Sequence, residues 1–119
     1  MDMPKRVFIS ILSPPVGSSY YIEGLRLALG ILGGDEEHSI TIAHIGRGVT
    51  CALKGVDRSY AQDFMELLPR DGAGHLFYVE RESMEEEGIS ESELDEGFVT
   101  ASRDELREKM LQADATFSF

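Results

Sequence analysis

The chain has 119 residues, of which 42% are hydrophobic and 28% charged, and its formal net charge is −11 at pH 7. This length predicts one domain, residues 1–119, with a single hydrophobic core. The 22 acidic residues against 11 basic ones argue against direct nucleic-acid binding, which needs a basic face. A single cysteine forms no internal disulfide, and the apolar run near the start is too short for a membrane span. We therefore expect a cytoplasmic protein that binds no membrane.

Predicted strands alternate with predicted helices along the chain. The apolar run 5–12 predicts the first strand, and leucines and isoleucines at spacings of three and four then predict a helix from residue 20 to the glycine pair 33–34. The β-branched run 39–45 predicts the second strand. Further strands are predicted at 75–79, 98–101 and 115–119. Further helices are predicted at 57–69, capped by Asp57, at 80–88, and from a capping box at Ser102 through residue 111.

This alternation predicts the fold class. Right-handed crossovers between such strands produce an α/β fold, a three-layer α/β/α sandwich with a mostly parallel five-stranded sheet. Ligands of such sheets bind beyond the carboxyl ends of the strands. This rule selects three segments as candidate sites: SPPVGSSY after the first strand, GRGVTC after the second and ERES after the third.

The SPPVGSSY segment is a candidate anion-binding loop. Ser13, Ser18 and Ser19 place three hydroxyl groups before a helix, where backbone N–H groups can hold an anion. The segment has neither the lysine of a phosphate-binding P-loop nor the GxGxxG spacing. A turn with serine caps explains the same residues.

The GRGVTC segment contains Cys51, the only cysteine of the chain. Gly46 and Gly48 permit a sharp turn, and a helix N-terminus after them would lower the pKa of a thiol in its first turn. Arg47 would add a positive charge. Cys51 is therefore the candidate catalytic residue, with Gly46, Arg47 and Gly48 as candidate ligand-binding residues. The alternative is an inert, buried cysteine.

Glu80 and Ser83 are further candidate ligand-binding residues, because they directly follow the third strand. The three histidines form no local ligand pair, so we predict no metal site, and we expect no cofactor. The GxSxG elbow of serine hydrolases is absent from the sequence. His44 and His75 fall in predicted strands, where core or edge histidines are more common than catalytic ones.

Two features bear on partners. The stretch 80–96 is dominated by Asp and Glu, which indicates either a solvated surface or a docking surface for a basic protein partner. Apolar residues such as Val16, Tyr20, Tyr21 and Phe77 exceed the needs of one small core, and aromatic residues at a surface are typical of interfaces, so we expect the chain to form an oligomer.

The order of these features resembles the DsrE/DsrF/DsrH-like sulfur-relay family, of the TusBCD type. The resemblance covers nearly the whole chain and rests on YYIEGLRLALGI, GRGVTCALKG, YVERESMEEEGIS and DELREKMLQADATFSF. The C-terminal half is most similar to the TusC/DsrF type. The resemblance implies a five-stranded α/β domain that assembles into homo-trimers, homo-hexamers or hetero-oligomers with related subunits. It also implies a role in sulfur relay, in which a cysteine persulfide hands on sulfur.

The resemblance also locates the family's catalytic cysteine, which opens the helix after the third strand. Matching the end of that segment to Gly88-Ile89 puts this position at about Glu80, where a carboxylate cannot carry a persulfide. Two interpretations follow: a non-catalytic, accessory subunit, or a sulfur carrier in which Cys51 has become the working thiol. The rival hypothesis is a small-ligand or nucleotide-binding module of flavodoxin-like architecture, with SPPVGSSY as its anion loop.

Overall fold

The computed structural model of the chain describes residues 5–15, 19–32, 38–59, 65 and 77–119. The strands in these residues are β1 (Arg6–Ile11), β2 (Ser39–His44), β3 (Phe77–Glu80), β4 (Phe98–Ala101) and β5 (Ala115–Ser118). The α-helices are α1 (Tyr20–Leu32), α2 (Arg81–Glu86) and α3 (Arg103–Gln112). Two 3-10 helices, Gly46–Ala52 and Glu91–Glu93, lie in the connections.

The strands form one sheet in the order β4-β3-β2-β1-β5. Every neighbouring pair in this order is parallel. The predicted α/β class with a five-stranded sheet is confirmed, and the sheet is parallel throughout. Because parallel strands all end at the same edge, the segments that follow β2, β3 and β4 meet there.

The direction of the crossovers places helices on both faces of the sheet. From β1 the chain moves stepwise to β4 at one edge, and α3 then carries it back to β5 at the other edge. A right-handed crossover that reverses direction puts its helix on the opposite face. Accordingly, Leu25 of α1 shares a core cluster with Ile9, whereas Leu106 of α3 shares one with Phe8, the adjacent residue of β1.

The predicted elements agree with the structure wherever residues are described, with two corrections. The GRGVTC segment is a 3-10 helix that follows β2 directly, where we expected a turn and then an α-helix. Tyr21 and Phe77 are fully buried, so the expectation that they are surplus to the core is wrong. Most of the helix predicted at 57–69 and the start of the strand predicted at 75–79 lie outside the described residues. Within the described part, no helix is long and apolar enough to span a membrane.

Gly48 lies where the first 3-10 helix crosses the end of β1. A Cβ atom at this position would come 1.9 Å from the carbonyl oxygen of Ile11. That oxygen also accepts a hydrogen bond from the backbone N–H of Ile45 at 2.9 Å, so the backbone of Ile11 is held in place. Glycine is therefore required at residue 48 for the close approach of two backbones.

We predict that Gly48→Ala lowers the free energy of unfolding by about 3 kcal/mol, because the added methyl group meets backbone atoms that cannot give way. Gly30→Ala is the matched control, since a Cβ atom at this position in α1 has nothing within 4 Å. That control should be more stable than the wild type by up to about 1 kcal/mol. Urea denaturation of both variants measures the two changes, and a Gly48→Ala variant of wild-type stability would contradict the prediction.

Candidate functional site

Glu80 ends β3 at the carboxyl edge of the sheet, and only 3% of it is exposed. Its Oε1 atom accepts a hydrogen bond from the Ser83 hydroxyl at 2.5 Å. The same oxygen accepts from Nε and Nη2 of Arg103, at 3.2 and 2.9 Å. Burying a carboxylate costs free energy unless its charge is matched. Arg103 and Ser83 offset that cost for Glu80.

Ser83 connects this carboxylate to the GRGVTC segment. Its hydroxyl oxygen accepts a hydrogen bond from the backbone N–H of Gly46 at 2.8 Å while its proton goes to Glu80. Gly46 has a φ of +59°, in the left-handed region that favours glycine. Glu80, Ser83, Arg103 and the Gly46 backbone thus form one bonded group, the Glu80 cluster.

Arg103 is held by the acidic helix α2 as well as by Glu80. Its backbone N–H donates to Glu82 Oε1 at 2.9 Å, and its guanidinium lies 3.3 Å from Glu86. Hydrogen bonds from Arg103 to Glu80, and then to Glu86, raise the pKa of Arg103 above its ordinary value. The guanidinium is therefore charged at every physiological pH.

Cys51 lies away from this cluster, in the core cluster beneath α1. It is fully buried, and its Sγ is 3.5 Å from the carbonyl oxygen of Ser13. Burial raises the pKa of the Cys51 thiol to about 12, against a smaller opposing effect of the Arg58 charge. The predicted lowering of this pKa is wrong, because Cys51 is in the last turn of a 3-10 helix and not in the first turn of an α-helix. Its role as a sulfur carrier stays a prediction.

The remaining candidate residues do not join the Glu80 cluster. The carbonyl oxygen of Ser13 contacts the thiol of Cys51, and Ser18 lies outside the described residues. The Ser19 hydroxyl donates to Glu23 Oε1 at 3.1 Å, which puts a carboxylate beside the predicted anion loop. Arg47 is exposed to solvent. Among the described residues, no group of three His, Cys, Asp or Glu side chains is placed to hold a metal ion.

Arg103 is the member of the cluster that the sequence did not reveal. It lies 23 residues after Glu80, with β4 between them. The register pairs Glu80 with Ala101, the last residue of β4, so a side chain two residues further on reaches the carboxylate. The proximity of Arg103 to Glu80 follows from the pairing of β3 with β4. Strand order of this kind cannot be predicted from local sequence.

His44 is buried at the end of β2, so its position matches that expected of a core histidine. Its Nδ1–H donates to the Tyr78 carbonyl oxygen at 2.8 Å, and its Nε2 accepts from the Tyr21 hydroxyl at 3.3 Å. Phe77 and Phe98 contact the ring from other sides. Desolvation lowers the pKa of His44 from 6.5 to about 4, so the ring is neutral at physiological pH.

Comparison with known proteins identifies the family of the chain. The model of the DsrE/DsrF-like family matches residues 5–119. The chain belongs to this family. The predicted resemblance is therefore confirmed at the level of the family. A search among curated proteins finds no match.

Two solved structures are similar to the chain. The ychN protein from E. coli has 23% sequence identity and a TM-score of 0.79, with 98% of this chain and 100% of that chain covered. Protein MTH1491 from Methanobacterium thermoautotrophicum, described as being of unknown function, has 16% identity and a TM-score of 0.73, with 95% and 98% covered. At these identities the similarity shows the fold alone.

We predict that the neutral state of His44 makes stability depend on pH. The folded-state pKa is below the unfolded value of 6.5, so this contribution is present above pH 6.5 and is lost as the pH falls toward about 4. The expected loss from His44 between about pH 7.5 and about pH 5 is about 2 kcal/mol. Urea denaturation of wild type and His44→Gln at both pH values isolates this loss from carboxylate titration. An equal pH dependence in both proteins would contradict it.

We predict that Cys51 in the folded protein reacts with iodoacetamide at least about 100-fold more slowly than in urea-unfolded protein, because its thiol is buried and protonated. Mass spectrometry over a time course measures both rates. Cys51→Ser is the control and should gain no label. Equal rates in the two states would show that the thiol is accessible.

Proposed function

We propose that this DsrE/DsrF-like protein is an accessory, TusC/DsrF-type subunit of a sulfur-relay assembly and carries no persulfide of its own. The observation that carries the proposal is the Glu80 cluster, which stands where the family resemblance puts the catalytic cysteine. The carboxylate there is buried and bound to Arg103 and Ser83. Glu80 thus occupies the position that the resemblance assigns to the catalytic cysteine. Its hydrogen bonds to Ser83 and Arg103, however, are those of a structural residue.

The chemistry of sulfur relay explains why this substitution matters. An attacking thiolate bonds to the terminal sulfur of a donor persulfide, the S–S bond of the donor breaks, and the donor leaves as a thiolate. The step needs an accessible, deprotonated sulfur atom. Glu80 offers only oxygen, and Cys51 is buried with a pKa of about 12. Neither residue meets the requirement in the isolated chain.

Assembly is the function that remains for such a subunit. Several large apolar side chains are exposed on the surface, and two of them, Val99 and Phe117, lie on β4 and β5 at opposite edges of the sheet. Exposed apolar residues of this kind are typical of interfaces. We propose a homo-oligomer, trimer or hexamer, or a hetero-oligomer with related subunits. The other exposed apolar side chains are Leu12, Tyr20, Met110 and Leu111.

The acidic stretch 80–96 offers a second contact surface. Its exposed carboxylates belong to α2, the second 3-10 helix and the residues around them, namely Glu85, Glu86, Glu87, Glu91, Glu93 and Glu96. Surfaces of one charge attract partners of the opposite charge and speed their association. We therefore propose a basic protein as the partner of this surface, within the cytoplasm.

Sulfur loading tests the absence of persulfide chemistry. After incubation with a small-molecule persulfide, intact-mass spectrometry should show no added sulfur on the wild-type protein. Glu80→Cys should gain one sulfur atom, because the shorter side chain opens space beside the guanidinium of Arg103, which is 43% exposed and favours the thiolate. Ser83→Cys is the matched control, with a thiol three residues away, and should gain less.

Two outcomes would contradict the proposal. A sulfur atom gained by the wild type and lost in Cys51→Ser would make Cys51 a carrier. A chain that sediments as a monomer at every concentration, alone and with its genomic neighbours' products, would remove the assembly role. Circular dichroism of each variant separates lost folding from lost chemistry.

A further inference from the structure

A cavity of about 200 Å³ lies between α3 and the carboxyl edge of the sheet, on the α3 face. Its walls include Phe8 of β1, Ile45 after β2, and Leu106 and Met110 of α3. Phe8 and Leu106 are almost fully buried, whereas 41% of Met110 is exposed. The cavity therefore has an apolar floor and an opening toward solvent at one end.

The charged residues of the cavity are Glu80, Arg103 and Arg107. Glu80 and Arg103 neutralise each other through the two hydrogen bonds of the Glu80 cluster. Within the described residues, the carboxylate nearest to Arg107 is Asp104, at 3.9 Å, and both of these side chains are largely exposed. Such an exposed pair is weak, so Arg107 remains available to a ligand.

The residues that line the cavity thus combine an apolar floor with two arginines against one carboxylate, in a chain whose net charge is −11. Small-molecule sites have this composition, mostly apolar with a few polar groups that fix the orientation of the ligand. The cavity lies at the carboxyl edge of a parallel sheet, where such sites are common. Its volume holds about seven groups of the size of water.

We propose that this cavity binds a small organic anion with a short aliphatic body. The carboxylate or sulfonate of the ligand contacts Arg107, and the hydrocarbon lies against Phe8, Ile45, Leu106 and Met110. This proposal does not depend on the sulfur-relay role, because it uses neither a thiol nor a partner subunit.

Pentanoate is the probe that tests the proposal. Methyl and amide NMR spectra of the full chain should show saturable shifts at Ile45, Leu106 and Met110, with a dissociation constant in roughly the millimolar range. Pentanol and pentylamine, of the same length, should bind at least about fivefold more weakly, because they lack the anionic group. Tighter binding of pentylamine would identify Glu80 as the attracting group and overturn the proposal.

Arg107→Gln supplies the second arm of the test. It removes the charge from a side chain that is 60% exposed, so the fold should be unaffected. Binding of pentanoate should weaken at least about fivefold in this variant. Lys54→Gln, which removes an exposed charge outside the cavity, should bind like the wild type. Unchanged binding in Arg107→Gln, equal binding of pentanol, or no saturable shift at the three side chains would overturn the proposal.

Discussion

The pairing of Glu80 with Arg103 is the interaction on which the carboxyl edge of this sheet depends. One oxygen of Glu80 joins the end of β3 to the start of α3, and Ser83 extends the connection to the backbone of Gly46. Burying a carboxylate to only 3% exposure is costly unless such partners satisfy its oxygen atoms. The cost of burying it is therefore offset by contacts that fix three connections of the sheet relative to one another.

The same contacts decide what kind of chemistry this position can support. A nucleophile in sulfur exchange must be accessible and deprotonated. A buried ion pair such as Glu80–Arg103 instead needs matched charges and no access for solvent. These demands oppose each other, so one side chain does not meet both. Ile9 of β1 shares a core cluster with Cys51, whereas the adjacent Phe8 lines a cavity with Glu80, so the side chains of Cys51 and Glu80 lie on opposite faces of the sheet. The thiol of Cys51 therefore lies within the core on the α1 side of the sheet and not beside Glu80.

Hydrophobic periodicity predicted the order of the described strands and helices, and Ser102 marked the start of α3 through the capping box that the structure contains. These signals are local, because they arise from side chains within one or two turns. The surroundings of Cys51 were not predictable in this way, since its burial depends on how the 3-10 helix packs beneath α1. The pairing of Glu80 with Arg103 was missed for a similar reason, because it follows from the neighbouring positions of β3 and β4.

The spacing of two arginines on α3 connects the Glu80–Arg103 ion pair with the proposed cavity. Arg103 and Arg107 are four residues apart on α3, so both face the same side of the helix. Glu80 binds the first of them, and without that pair the cavity would contain an unmatched carboxylate at its wall. With the pair formed, the second arginine supplies the excess charge. Glu80 therefore occupies Arg103 and leaves Arg107 as the cationic side chain that faces a ligand in the proposed cavity.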